Sequence, residues 1–264
     1  MNNDSLLYRA LLASGRFFFR VRNSVFPVVL AAVVIFTRPA ELLGNPSMDR
    51  WAVAMGILLV LAGEAFRLAV IGYAYIRRGG RNREVHANEL VTRGFYAHTR
   101  NPMYVGNFMV VLGFTLVHGS AAVITLVVPF FAWVYLAITT NEEAYLREKF
   151  GKAYDDYAAR VNRFIPSFRG LRASLAEFEY DWRRALVKEY NTLCFTLAIV
   201  LCLLVWKLYY LYGYAEHRTA IRWLSGGLIP LALFYGTVRH LKKTRRLQPA
   251  RAAETEKNIR PPNP

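Results

Sequence analysis

Charged side chains beside apolar runs are costly unless they pair or work, and two groups of them flank such runs in this chain of 264 residues. The first is Arg93-Gly94-Phe95-Tyr96 followed by Arg100-Asn101-Pro102-Met103-Tyr104. The second is Glu142-Glu143, with Arg163 further on. Glu142 or Glu143 can accept hydrogen bonds from a cation, and bonds to an ionised acceptor are the stronger kind. Arg100 or Arg163 can hold an anion through a fork of donors. Plainer roles also suit these residues. Tyr96, Tyr104, Tyr154 and Tyr157 fit an interfacial aromatic belt, and Glu142-Glu143 fits a solvated helix start favoured by the helix dipole. Glu64 and Arg67 lie one helical turn apart inside an apolar run, where charges pair or face a cavity. A structural ion pair and a site role both fit them. Lys207 reads as snorkelling or facing a bundle interior. Cys194 and Cys202 read as packing residues, and no His and Cys spacing suggests zinc or haem.

The elements that hold these residues follow from composition. Hydrophobic residues make up 55% of the chain and charged ones 20%, a balance tilted away from soluble domains and incompatible with disorder. The apolar residues come in blocks of membrane-spanning length. The spacing predicts spans over Val25 to Leu43, Trp51 to Ile76, Pro102 to His118, Ala121 to Thr139, Leu193 to Tyr212 and Ile221 to Val238. The chain is therefore expected to be an all-α integral membrane protein with about six transmembrane helices. Pro102 suits a first helical position, because its missing N–H costs nothing there. Gly106 and Gly113 lie two helical turns apart and permit close approach of a neighbouring helix. A tight hairpin is expected near His118–Ser120. A surface helix is expected from Glu142 to Tyr157, with a turn at Gly151.

Lys and Arg exceed Asp and Glu by 34 to 18, and they gather before the first span, between Arg77 and Arg100, and after Val238. Cytoplasmic segments collect such residues, so both termini and the two polar central segments, 77–101 and 140–189, are expected to face the cytoplasm. The charges flank spans instead of lining one face, which favours anionic lipid headgroups as partners over nucleic acid. Residues 1–24 read as an amphipathic interfacial segment and 25–192 as a functional core. Residues 193–238 read as two further spans, and 239–264 as a basic, disordered tail. Nothing at the start resembles a cleavable signal, so the first span is expected to persist. The expected setting is a bacterial inner membrane.

Leu90-Val91-Thr92-Arg93-Gly94-Phe95-Tyr96, then Thr99-Arg100-Asn101-Pro102-Met103-Tyr104-Val105-Gly106-Asn107, resembles the cofactor motif of membrane methyltransferases. That group includes isoprenylcysteine carboxyl methyltransferases and phospholipid N-methyltransferases. A downstream half is similar too: Asn141-Glu142-Glu143, Phe150-Gly151-Lys152-Ala153-Tyr154-Asp155-Asp156-Tyr157, and Val161-Asn162-Arg163-Phe164-Ile165-Pro166. The resemblance implies a cytoplasm-facing pocket for S-adenosylmethionine and methyl transfer to a lipid or lipid-linked acceptor, a carboxylate or an amine, entering from the bilayer. It implies cofactor contacts from Leu90, Val91, Gly94, Tyr96, Arg100, Asn101, Pro102, Tyr104, Glu142 and Glu143, with Leu90 and Val91 offering backbone groups to the adenine. Arg100, Glu142 and Arg163 are the catalytic candidates. Asn101 stands where the family often has His; it still offers an amide donor and acceptor. The same motifs resemble the carboxyl-terminal part of sterol reductases, which use NADPH, and a non-enzymatic protein retaining the fold is a third reading.

Overall fold

The structure, a computed structural model, describes residues 5–73, 87 and 89–248. Among them all regular structure is helical. Helix α1 spans Leu6–Phe36, and the Ser5 side chain caps it by accepting from the Tyr8 amide at 3.2 Å. It runs unbroken through the residues expected to form a separate interfacial segment, and Pro27 lies inside it. It stops before the expected end of the first span because Pro39 follows closely. Proline disfavours helical backbone in the residue before it and offers no N–H of its own. Helix α2 spans Pro46–Tyr73, α3 Pro102–His118 and α4 Ala121–Phe150. Two short helices follow, α5 at Lys152–Arg160 and α6 at Leu171–Ala176. Helix α7 covers Trp182–Tyr212, crossing the expected divide between core and additional spans without interruption. Helices α8, Tyr214–Gly226, and α9, Leu228–Lys243, form one apolar stretch broken at adjacent glycines.

Five of these stretches are long and apolar enough to cross a bilayer: Leu6–Phe36, Pro46–Tyr73, Ala121–Phe150, Trp182–Tyr212 and Tyr214–Lys243. The apolar α3, with 17 residues, is only about 25 Å long at 1.5 Å per residue. It matches the expected span Pro102 to His118 and sits in the middle of the bundle. The protein is an all-α integral membrane protein.

Backbone approach explains how α3 is held. A Cβ on Gly63 would lie 2.7 Å from the Gly106 carbonyl oxygen, and one on Gly56 would lie 2.7 Å from that of Gly113. Two glycine pairs therefore let α2 and α3 touch along their length, as the spacing of Gly106 and Gly113 predicts. Helix α1 lies along α4 in the same manner, with Gly15 against the Ala137 carbonyl. Val60, Val110, Phe114, Val117, Val200 and Leu203 fill the space where α2, α3 and α7 meet. The hairpin between α3 and α4 turns at Gly119, whose φ of +80° suits glycine.

Charges inside the bundle are paired. Lys207 faces inward, donating to Asp49 Oδ1 at 2.6 Å and to the Val117 carbonyl at 3.0 Å. Arg67 joins Glu189 and Asn107, and its Nε lies 3.8 Å from Glu64 Oε2. Thr196 donates to the other Glu64 oxygen at 2.8 Å. Glu64 and Arg67 thus belong to a polar cluster binding α2, α3 and α7 together.

Candidate functional site

The site forms where the first turn of α3, the last turns of α4 and the segment after α5 converge. Pro102 starts α3 and is buried. Gly94, with φ of +60°, opens the 3-10 turn Gly94–Ala97. Leu90 and Val91 lie half-buried in the non-helical stretch leading into that turn. Helix α4 ends at Gly151, with φ of +52°, where the Glu142-to-Tyr157 helix was expected to turn. That break folds α5 back so that Tyr154 and Tyr157 are buried.

Residues 98–101 and 161–167 then pair side by side. The Arg100 amide donates to the Asn162 carbonyl at 2.9 Å, and the Ser167 amide to the His98 carbonyl at 3.0 Å. Thr99 donates to the Arg163 and Phe164 carbonyls at 3.2 Å each. The Asn101 amide nitrogen donates to the Arg163 carbonyl at 3.1 Å. The His98 ring is wedged between the Ser167 carbonyl at 2.5 Å and Ser174 Oγ at 2.9 Å. Tyr157 donates to the Tyr96 carbonyl at 2.8 Å, fastening α5 to the 3-10 turn.

The two adjacent glutamates face different partners, as successive helical residues must. Glu143, buried, takes both donors of a bidentate Arg163 fork at 3.0 and 2.5 Å, and Arg100 Nε stands 3.6 Å away. Arg163 also reaches Thr140 Oγ1 at 3.4 Å. Glu142 points toward α1 and α3. Tyr104 donates to its Oε1 at 3.1 Å, and Arg22 of α1 lies 3.7 Å from the same oxygen. Its second oxygen takes no hydrogen bond within the described residues. Burial, with the nearby Glu142 charge, pushes the Tyr96 phenol above its ordinary range. Burial does the same to Tyr154 and Tyr157. All three stay neutral donors at physiological pH.

Two buried polar atoms here lack a hydrogen-bond partner, Arg100 Nε and the Tyr154 hydroxyl. Arg100, with a spare donor, and Glu142, with an oxygen that no described residue bonds, together match a ligand that carries a carboxylate and an ammonium. The methionine end of S-adenosylmethionine has both, so these residues fit it. The sequence candidates Arg100, Asn101, Pro102, Tyr104, Glu142, Glu143 and Arg163 are brought together. One N–H of the Asn101 amide, however, is given to the chain's own backbone. Thr99, Thr140, His98 and Arg22 were not singled out in the sequence. The first three are neighbours in the fold of residues that were; nothing in local spacing marks Arg22.

The site thus sits in an all-α membrane bundle, and comparison with known proteins places that bundle in a family. The chain belongs to the phospholipid methyltransferase family, whose model matches residues 51–153. It is 32% identical to a protein-S-isoprenylcysteine O-methyltransferase of Schizosaccharomyces pombe, over 61% of this chain and 63% of that one. It is 31% identical to the cobalt-zinc-cadmium resistance protein CzcN of Cupriavidus metallidurans, over 58% of this chain and 67% of that one. A mouse protein-S-isoprenylcysteine O-methyltransferase is 32% identical over 47% of this chain and 45% of its own length. The chain therefore spans about two thirds or less of the curated relatives it matches. No solved structure matches it.

Proposed function

We propose that this protein transfers a methyl group from S-adenosylmethionine to a lipid or lipid-linked acceptor. The observation that carries the reading is the pair of glutamates at the end of α4. One is braced by Arg163 and Arg100, and the other is open beside Tyr104. When bound, the cofactor supplies an electrophilic methyl group on a sulfonium. The Glu142 carboxylate accepts from its ammonium, and Arg100 donates to its carboxylate. Leu90 and Val91 offer backbone groups to the adenine, with Gly94 and Tyr96 closing that side. Glu143 and Arg163 position Arg100 and the paired segments, while Pro102 and Asn101 fix the entry of α3. No covalent intermediate with the protein is needed. Aligning two bound reactants supplies about 7–11 kcal/mol of the barrier.

The acceptor enters sideways from the bilayer and the cofactor from the cytoplasm. Both termini face the cytoplasm in this reading, the membrane is a bacterial inner membrane, and anionic headgroups neutralise the basic flanks. The test is titration of S-adenosylmethionine and of NADPH into the protein in lipid nanodiscs. It is joined to mass spectrometry of lipids from cells with and without the chain. Saturable binding of S-adenosylmethionine and a lipid heavier by one methyl in the expressing cells are expected. Binding of NADPH alone would replace this reading with the reductase one, and binding of neither would leave a non-enzymatic membrane protein.

A further inference from the structure

Arg22 is the one charged residue that α1 brings to the candidate site among the described residues. Helix α1 precedes the stretch matched by the family model. Its guanidinium lies over the Phe19 ring at 4.2 Å and stands 3.7 Å from Glu142 Oε1, and its side chain is 32% exposed. That separation is an ion pair without a hydrogen bond to Glu142; the guanidinium also stands beside the Tyr104 hydroxyl, and its five N–H groups leave donors over for a ligand. An arginine within a spanning helix is costly to keep and marks a ligand path or a partner.

Charge matching says what the partner is. Arg22, Arg100 and Arg163 face Glu142 and Glu143, an excess of one positive charge. Glu143 is spent on Arg163 and Arg100. On the proposed function, the donor's carboxylate uses Arg100 and its ammonium uses Glu142. Arg22 is then left unmatched at the edge of the site where α1 lies against α4. An acceptor carrying a carboxylate neutralises it; an amine acceptor adds nothing and must first lose a proton.

We infer that Arg22 is a specificity-determining residue that holds the carboxylate of a lipid-borne acceptor beside Glu142 and Tyr104. The inference rests on the proposed function. In the reaction it implies, a carboxylate oxygen forms the new O–CH3 bond. The S–CH3 bond breaks with its electron pair remaining on sulfur, and no proton moves. A carboxylate is already ionised near neutral pH, so no general base is required.

The test measures binding to the protein in nanodiscs, with S-adenosylmethionine titrated separately. The probes are a prenylated cysteine and a long-chain fatty acid, each paired with its own carboxamide. Wild type is expected to prefer at least one carboxylate over its carboxamide by about ten- to a hundred-fold, the range of a charge-assisted hydrogen bond. In Arg22→Gln that preference should fall below about threefold, while S-adenosylmethionine affinity stays within about twofold. Arg22→Lys should keep part of the preference, because it keeps the charge and loses the fork. Arg16→Gln, on an exposed turn of the same helix, should change neither. Several results would overturn the inference: no carboxylate preference in wild type, a preference that survives Arg22→Gln, or an equal loss of S-adenosylmethionine affinity in that variant. A wild type that fails to bind S-adenosylmethionine at all counts instead against the proposed function.

Discussion

Glu142 and Glu143 are neighbours in sequence with different tasks, and substitutions should separate them. Glu142→Gln keeps shape and removes the charge offered to an ammonium. S-adenosylmethionine affinity is expected to fall about ten- to a hundred-fold, with the melting temperature nearly unchanged; calorimetric titration and a thermal melt read the two quantities. Glu143→Gln breaks the brace to Arg163 and Arg100. It leaves two guanidinium groups facing a neutral amide, so it should lower stability by about 1–3 kcal/mol as well as binding. A Glu143 variant that melts like wild type would show the brace to be dispensable. Asn101 yields a different forecast. Its amide donates to the Arg163 carbonyl, which Thr99 also serves. Asn101→Leu should therefore loosen residues 161–167, detected as faster amide exchange there, and weaken cofactor binding only indirectly. Unchanged exchange in that segment would return Asn101 to a direct ligand role. The motif spacing made the members of the site legible in the sequence. It could not reveal that Glu143 is taken up by Arg163 and that Asn101 gives one N–H to the Arg163 carbonyl, because those partners lie many residues away and meet only in the fold.

At the scale of elements, glycines decide where helices touch and where they stop. A methyl group on Gly63 would meet the Gly106 carbonyl oxygen at 2.7 Å and the Val110 side chain at 3.0 Å. Gly63→Ala must push α2 and α3 apart, so a cost of about 1–3 kcal/mol is expected, in the range of overpacked cores. The measurement is the denaturation midpoint in mild detergent; an unchanged midpoint would mean the two helices separate freely. Gly151 differs, since a Cβ there meets nothing within 4 Å and only its backbone angles, φ +52° and ψ −128°, resist a side chain. The turn at Gly151 and the hairpin at Gly119 were both readable from sequence, because breakers act locally. The unbroken course of α1 was not. Its arginines suggested an interfacial segment separate from the span, whereas packing against α4 carries a single helix through both.

For the whole molecule, the orientation drawn from the distribution of Lys and Arg has a direct check. A cysteine replacing Arg172, on the exposed side of α6, should react with a membrane-impermeant reagent only from the cytoplasmic face. One replacing Glu216, exposed at the start of α8, should react only from the other face. Reversed labelling would invert the topology, and labelling of both from one side would mean that α7 does not cross. The apolar stretches, and their number to within one, were legible because membrane thickness dictates helix length, while the contacts among spans depend on pairings that no window of sequence contains.

Helix α7 serves α2 at four depths. Arg184 donates to the Ile71 and Gly72 carbonyls, Glu189 pairs with Arg67, Thr196 bonds Glu64, and Lys207 pairs with Asp49. Glu189 lies beyond the stretch matched by the family model, yet it neutralises Arg67 inside it, and Lys207 neutralises Asp49 just ahead of it. The edge of family likeness is therefore not an edge of self-sufficiency. A chain cut short before residue 182 would carry Asp49 into the bilayer without Lys207 and leave Arg67 only the more distant Glu64, and shortening this protein to its recognisable part should produce something the membrane refuses to hold.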